Sequence, residues 1–250
     1  MNEKTNSMGR SPLELPSPFK VNADCTYPYV AKSRLSRRRS RLWCALVSHV
    51  LGPALHIFTG FEVEGKQNLK SLQNGAVSFC NHVHTLDCVM LGRAFWSRDT
   101  YFLSQRENFG IPLIRHLIKR LKAMPVPENS KAYSELYRQL EPELLSGAIF
   151  HVYPEGSLRP SCTVLRPFSP GAFRFAVNLG LPVLPCVIRF ERGRFRTRHI
   201  LVIGEPLFPQ KDLPPELQIE KLKTDSELVM EGMLENKQDT AQHMELCSNM

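Results

Sequence analysis

AVSFCNHVHTLD, residues 76–87, decides how this chain folds. A short, mostly apolar run ends at Asn81-His82, and a helical pattern begins near Thr85. Such a run, bounded by polar residues, reads as a strand. His82 then stands at a strand end and Asp87 in the first turn of the next helix. The positive end of that helix favours a carboxylate. From there Asp87 can accept a hydrogen bond from the Nδ1–H of His82, which leaves Nε2 as a base. A pair of this kind would deprotonate a hydroxyl, with no separate nucleophile needed if that hydroxyl belongs to the substrate.

Spacing alone leaves a metal-ligand pair and an ordinary polar loop open, so the surroundings matter. His84 invites a metal, but no further His, Cys or Asp set at ligand spacing accompanies it, and no metal is expected. Cys88 opens the apolar run CVML and reads as a core thiol. The absence of G-x-S-x-G excludes a serine hydrolase of the nucleophile-elbow type.

Working outward, further apolar runs predict strands at 100–104, 148–153, 182–190 and 199–204, with helical patterns at 87–94, 112–122, 130–145 and 171–179 between them. This alternation predicts an α/β fold: a mixed, largely parallel sheet flanked by helices. Four parts follow along the chain. Residues 1–30 form a polar, proline-containing arm expected to be disordered. Residues 31–61 form a basic and apolar membrane-associating helical segment. Residues 62–210 form the α/β domain, and 211–250 an acidic helix and tail.

In the second part, SRLSRRRSR (33–41) precedes twenty residues, 42–61, without a single Lys, Arg, Asp or Glu. Gly52-Pro53 interrupts that run, which fits two short helices dipping into one leaflet better than a spanning helix and leaves both open. The arginines would lie on anionic headgroups, placing the protein on the cytoplasmic face of a membrane. The pattern at 112–122 alternates Ile and Leu with Arg, Lys and His, as an interfacial helix would. Charge supports an anionic partner: residues 1–41 hold 9 Lys and Arg against 3 Asp and Glu, while 211–250 hold 4 against 9. No aromatic-interleaved basic platform points to nucleic acid, and none is expected as a partner. The seven cysteines, with no C-x-x-C, read as reduced thiols in a cytosolic setting.

A second chemical cluster, VYPEGSLRP (152–160), again follows a strand. Gly156 permits close backbone approach, Glu155 offers a carboxylate and Arg159 a fork suited to phosphate. Downstream, FSPGAFRFAVNLGLPVLP (168–185) joins a glycine-led helix to a proline-flanked strand.

In this order the motifs resemble those of the glycerolipid acyltransferase family typified by 1-acyl-glycerol-3-phosphate acyltransferase, over roughly residues 61–206. Asn81, His82 and Asp87 stand for the family's N-H-x-x-x-x-D, and Tyr153-Pro154-Glu155-Gly156 is similar to its F-P-E-G. Residues 181–185, LPVLP, are similar to its V-P-x-x-P, and the lead-in GFEVEGKQNL (60–69) to its approach to the first motif. Three segments depart from the family. Pro127-Glu128 stand where Asp-Arg is usual, Arg159 is displaced by one from the E-G-T-R pattern, and Ser104-Gln105-Arg106-Glu107 matches A-K-x-E loosely.

The resemblance implies transfer of a fatty acyl group from acyl-CoA or acyl-carrier protein, as co-substrate, to a hydroxyl of a glycerolipid-like acceptor. No other cofactor is expected, and the partners would be membrane lipids. His82 would be the general base and Asp87 its orienter, with Arg106, Glu155, Gly156, Ser157 and Arg159 contacting substrate. The alternative is a non-catalytic lipid-binding protein that keeps the fold.

Overall fold

The computed structural model describes residues 21–31, 33–162, 164–193 and 196–235. Its centre is a seven-stranded sheet. The strands are β1 (Glu62–Glu64), β2 (Ala76–Cys80), β3 (Thr100–Ser104), β4 (Ala123–Pro125), β5 (Ile149–Val152), β6 (Val183–Arg192) and β7 (Thr197–Ile203), in the spatial order β1-β7-β6-β2-β5-β3-β4. Every neighbouring pair is parallel except β6 with β7. Strands β2 to β6 therefore all finish on one edge, and the loops bearing residues 81–86, 105–111 and 153–161 gather there. In sheets of this kind ligands bind outside the carboxyl ends of the strands.

The period of two along each strand sorts the core into two layers. On one face Val77, Phe79, Phe150, Val183 and Val187 pack against α5 (Ser130–Leu145), α6 (Phe173–Leu179) and α7 (Pro215–Glu235). On the other, Ala76, Cys80, Ile149, Leu184 and Cys186 meet Met90 and Leu91 of α3 (Asp87–Ala94). Helix α7 buries Leu222, Ser226, Met230 and Leu234, one residue per turn, and leaves Glu216 and Glu220 exposed, so the acidic end is a surface helix packed by one face. The tail expected after it lies outside the described residues. The same holds for 1–20 of the N-terminal arm. Residues 21–31 are pinned to the core: Tyr29 and Val30 are buried, Val30 N–H donates to Gln139 Oε1 (3.0 Å), and Gln139 Nε2 donates to the Tyr27 carbonyl (3.0 Å).

Residues 34–59 depart from the expected pair of short helices. They form one continuous helix, α1 (Arg34–Thr59), with Pro53 inside it. Ser33 Oγ caps its start by accepting from Ser36 N, and Gly60, at φ 59°, closes its end. The Gly-Pro pair is a packing contact and not a break. A Cβ on Gly52 would lie 2.6 Å from Arg93 Nε, so the Arg93 side chain of α3 lies in the space that glycine leaves on α1. The pair gives up one backbone hydrogen bond at Pro53, which 26 residues of helix and two good caps outweigh.

The faces of α1 are sorted in an unusual way. Ser40, Ser48, Gly52 and Leu55 point inward, while Leu42, Leu46, Val50, Ile57 and Phe58 point out, Phe58 being 80% exposed. Two of its arginines are held by the domain: Arg41 pairs with Asp99 (2.8 Å) and Arg37 with Glu143 (2.5 Å). Arg38 and Arg39 are exposed. The short α2 (Gln67–Lys70) leads into β2, and α4 (Pro112–Arg120) lies beside α1, where Arg120 stacks 5.1 Å from the Trp43 ring.

Candidate active site

Strand β2 stops at Cys80 because Asn81 turns its side chain to the neighbouring strand. Asn81 Nδ2 donates to the Ile188 carbonyl (2.9 Å), and Asn81 Oδ1 accepts from Ile188 N (2.8 Å). The amide thus continues the β2–β6 ladder with a side chain and frees the backbone to turn. His82 comes next, with its side chain 21% exposed. Its Nδ1 meets Asp87 Oδ2 at 2.9 Å. The same oxygen accepts from Val83 N (2.8 Å) and His84 N (3.0 Å), so the carboxylate, at the start of α3, is fixed by the loop before that helix and fully buried. An ionised carboxylate only accepts, so Nδ1 carries the proton and Nε2 is left with its lone pair.

The loop after β5 completes the site. Gly156 adopts φ 78°, the left-handed turn that swings residues 157–161 back over the β2 loop. There Arg159 N donates to the His82 carbonyl (2.8 Å) and Ser161 N to the Val83 carbonyl (2.9 Å). Glu155 is buried, which pushes its carboxyl up, while Arg166 opposes that shift. Arg166 reaches Glu155 Oε2 at 2.8 and 2.9 Å and also binds Ser157 through Oγ and the carbonyl. Spacing gave no hint of Arg166, which lies eleven residues past its partner; its only mark in the sequence is its place just before the FSPGA stretch.

Three more groups sit beneath His82. The Tyr153 ring stacks on the imidazole, centroids 3.9 Å apart and planes within 12°. Its hydroxyl lies 3.3 Å from Cys88 Sγ. His151, fully buried, bonds Ser78 Oγ at 2.7 Å and meets Tyr153 edge to face. Burial, with the charge of His82 beside it, pushes His151 down to about 3, so it stays neutral. Around this cluster Asp87 Oδ1, Glu155 Oε1 and His151 Nε2 are buried without a partner among the described residues. The two open carboxylate oxygens suit a ligand bearing hydroxyl or other donor groups.

The two arginines singled out in sequence fare differently. Arg106 follows β3 on the same edge, but its Nη1 is bound to Glu128 Oε1 at 2.6 Å. The same glutamate oxygen accepts from Ala23 N (3.3 Å), so the residue standing where Asp-Arg is usual ties down both Arg106 and the 21–31 segment. Arg106 thus has one guanidinium nitrogen bound within the protein. Arg159 is exposed, with no side-chain hydrogen bond among the described residues. His84 accepts from Leu86 N and lies edge-on to His199, and no cluster able to hold a metal ion occurs among the described residues. Cys162 is disulfide-bonded, unlike the reduced thiols expected; the other described cysteines are free.

Residues 60–189, more than half of the chain, match the family model described as Acyltransferase. The chain is 25% identical over 171 residues to the chloroplastic 1-acyl-sn-glycerol-3-phosphate acyltransferase BAT2 of Brassica napus, a match covering 65% of this chain and 46% of that protein. With the chloroplastic 1-acyl-sn-glycerol-3-phosphate acyltransferase LPAT1 of Arabidopsis thaliana it shares 26% over 153 residues, 60% of this chain and 39% of that one. The chain thus spans less than half the length of these relatives. Its fold is that of the crystal structure of the 1-acyl-sn-glycerophosphate acyltransferase PlsC from Thermotoga maritima: TM-score 0.60, 20% identity, 84% of this chain and 87% of the other. By the matched family model, the chain belongs to the Acyltransferase family.

Proposed function

We propose that the protein is a membrane-surface O-acyltransferase that moves a fatty acyl group from acyl-CoA or acyl-carrier protein to a hydroxyl of a glycerophospholipid precursor or lysolipid. The observation that carries this reading is the 2.9 Å contact of His82 Nδ1 with Asp87, which leaves Nε2 basic at the loop edge of the sheet. In the reaction Nε2 takes the proton of the acceptor hydroxyl as its oxygen attacks the thioester carbonyl, forming a C–O bond. The tetrahedral oxyanion collapses, the C–S bond breaks, and the leaving thiolate takes the proton back from His82. Ester and free thiol are the products, so the base is restored each turn.

Arg159, whose guanidinium is uncommitted, is suited to the oxyanion or to a phosphate on the acceptor. Glu155, held by Arg166, offers its open oxygen to an acceptor hydroxyl. The relatives' names give lysophosphatidic acid as the first acceptor to try.

Membrane association rests on α1. Its length and composition would allow it to cross a bilayer, yet its inner face is engaged by the domain, so it lies along one leaflet. Outward leucines with Arg38 and Arg39 beside them fit an anionic cytoplasmic surface.

The test is thiol release from long-chain acyl-CoA, on vesicles containing lysophosphatidic acid, lysophosphatidylcholine or lysophosphatidylethanolamine. Release that depends on one lysolipid, and that falls by about two orders of magnitude in Asp87→Asn, supports the reading. Vesicle binding with no thiol released from any pairing would favour the lipid-binding alternative.

A further inference from the structure

We infer that Tyr153 is a positioning residue for His82, holding the imidazole in its reactive plane and stabilising the positive charge that forms there. This rests on His82 acting as the base.

The imidazole is constrained in two perpendicular directions. Asp87 holds it in the ring plane through Nδ1, and Tyr153 covers one face at 3.9 Å and 12°. Nε2 makes no hydrogen bond among the described residues. A near-parallel stack places the negative face of the phenol ring directly under the imidazole. For a neutral imidazole that contact is packing. Once Nε2 has taken a proton it becomes a cation–π contact, partly shielded from water, and so stronger in the transition state than before it.

Tyr153 is itself held on every side that could let it drift. It follows directly on β5, its hydroxyl meets Cys88 Sγ at 3.3 Å, and the His151 ring stands edge-to-face at 4.6 Å and 82°. His151 is anchored by Ser78 and kept neutral by burial, so no second cation faces the imidazolium from below. Arg159 and Arg166 on the neighbouring loop and Glu155 and Asp87 are the other charged groups around His82. Of these only Asp87 bonds the ring directly among the described residues.

Three roles for Tyr153 give three different outcomes. If the hydroxyl matters, Tyr153→Phe is as damaging as Tyr153→Leu. If only bulk matters, neither is damaging. If the ring face matters, Phe substitutes and Leu does not. We expect Tyr153→Phe to stay within about 2-fold of the parent. Tyr153→Leu should lose about 5- to 30-fold in kcat with KM little changed, and the acid limb of its pH–rate profile should move down by about 0.5 to 1 pH unit. The sign follows from the charge: removing the stack destabilises the protonated ring, which then loses its proton at lower pH.

Replacing Tyr153 by pentafluorophenylalanine keeps the packing and removes the negative ring face, so it should behave like Leu even if the Leu protein folds poorly. The same comparison is read without turnover by titrating the His82 resonance of 13C-histidine-labelled full-length protein, assigned from its loss in His82→Gln. The midpoint should fall in the Leu and pentafluorophenylalanine proteins and hold in the Phe protein. Equal midpoints for Phe and pentafluorophenylalanine, or equal damage by Phe and Leu, would overturn the inference. Inactivity of the parent on every lysolipid would instead remove the proposed reaction, while the titration still decides the stack.

Discussion

Helices α1 and α5 use the same spacing to opposite ends. In α5, Leu136, Leu140 and Leu144 recur every four residues and are fully buried, with charged residues such as Glu135 and Arg138 on the other side. In α1 the inward line at the same spacing carries Ser40, Ser48 and Gly52, while Leu42, Leu46 and Val50 face away from the protein. Helix α5 is written for water on its outside, whereas α1 sets small residues inside and large apolar ones outside, the arrangement on which the proposed membrane association rests. Hydrophobicity alone cannot tell these apart. The direction in which the large residues point can.

That contrast can be broken by substitution. The largest effect is expected inside α5, where Leu140→Ala removes a fully buried side chain and should cost about 2–5 kcal/mol in chemical denaturation. Leu46→Ala in α1, measured the same way in detergent-free buffer, should change stability by no more than about 0.5 kcal/mol. Equal costs would mean that α1 is a core helix after all.

Next in size, the double change Leu46→Asp with Phe58→Asp should weaken sedimentation with phospholipid vesicles by at least about 10-fold, since each side chain surrenders about 1.5–3 kcal/mol of apolar burial. Unchanged vesicle binding would place the lipid surface elsewhere.

The smallest effect concerns charge. Replacing Arg38 and Arg39 by Ala should lower affinity for anionic vesicles by about 1 kcal/mol each, leave neutral vesicles unaffected, and flatten the salt dependence. Arg37 and Arg41, tied to Glu143 and Asp99, should matter more for stability than for lipid.

Much of the sheet was legible because its central strands are apolar runs with turn residues at both ends. Strand β2 at Ala76–Cys80, β3 at Thr100–Ser104 and helix α3 at Asp87–Ala94 fall on the expected residues. Strands β1 and β4, three residues each, are too short to show a period, and they exist because a longer strand lies beside them. Helix α1 departs from the expected break at Gly52-Pro53 because local propensity argues for a break, while the packing of Leu55 with Met90 and Leu91 is set by residues far along the chain.

The site divides in the same manner. His82 and Asp87 are five apart and joined by one turn, so their contact could be foreseen. Arg166 with Glu155, Arg106 with Glu128 and Tyr153 on His82 are products of the sheet order and the Gly156 turn, which no local pattern encodes. The residue-level resemblance points to where the proposed chemistry would sit, and tertiary structure adds the ion pairs of Arg106 and Arg166 around it.

The central claim is that His82 takes the proton from the acceptor. The direct measurement is transfer of a labelled acyl chain from acyl-CoA to lysolipid by His82→Ala beside the parent, with vesicle binding and thermal stability recorded for both. The account predicts a loss of about 100- to 10,000-fold in transfer with binding and stability retained. Transfer at the parent rate in His82→Ala would contradict it.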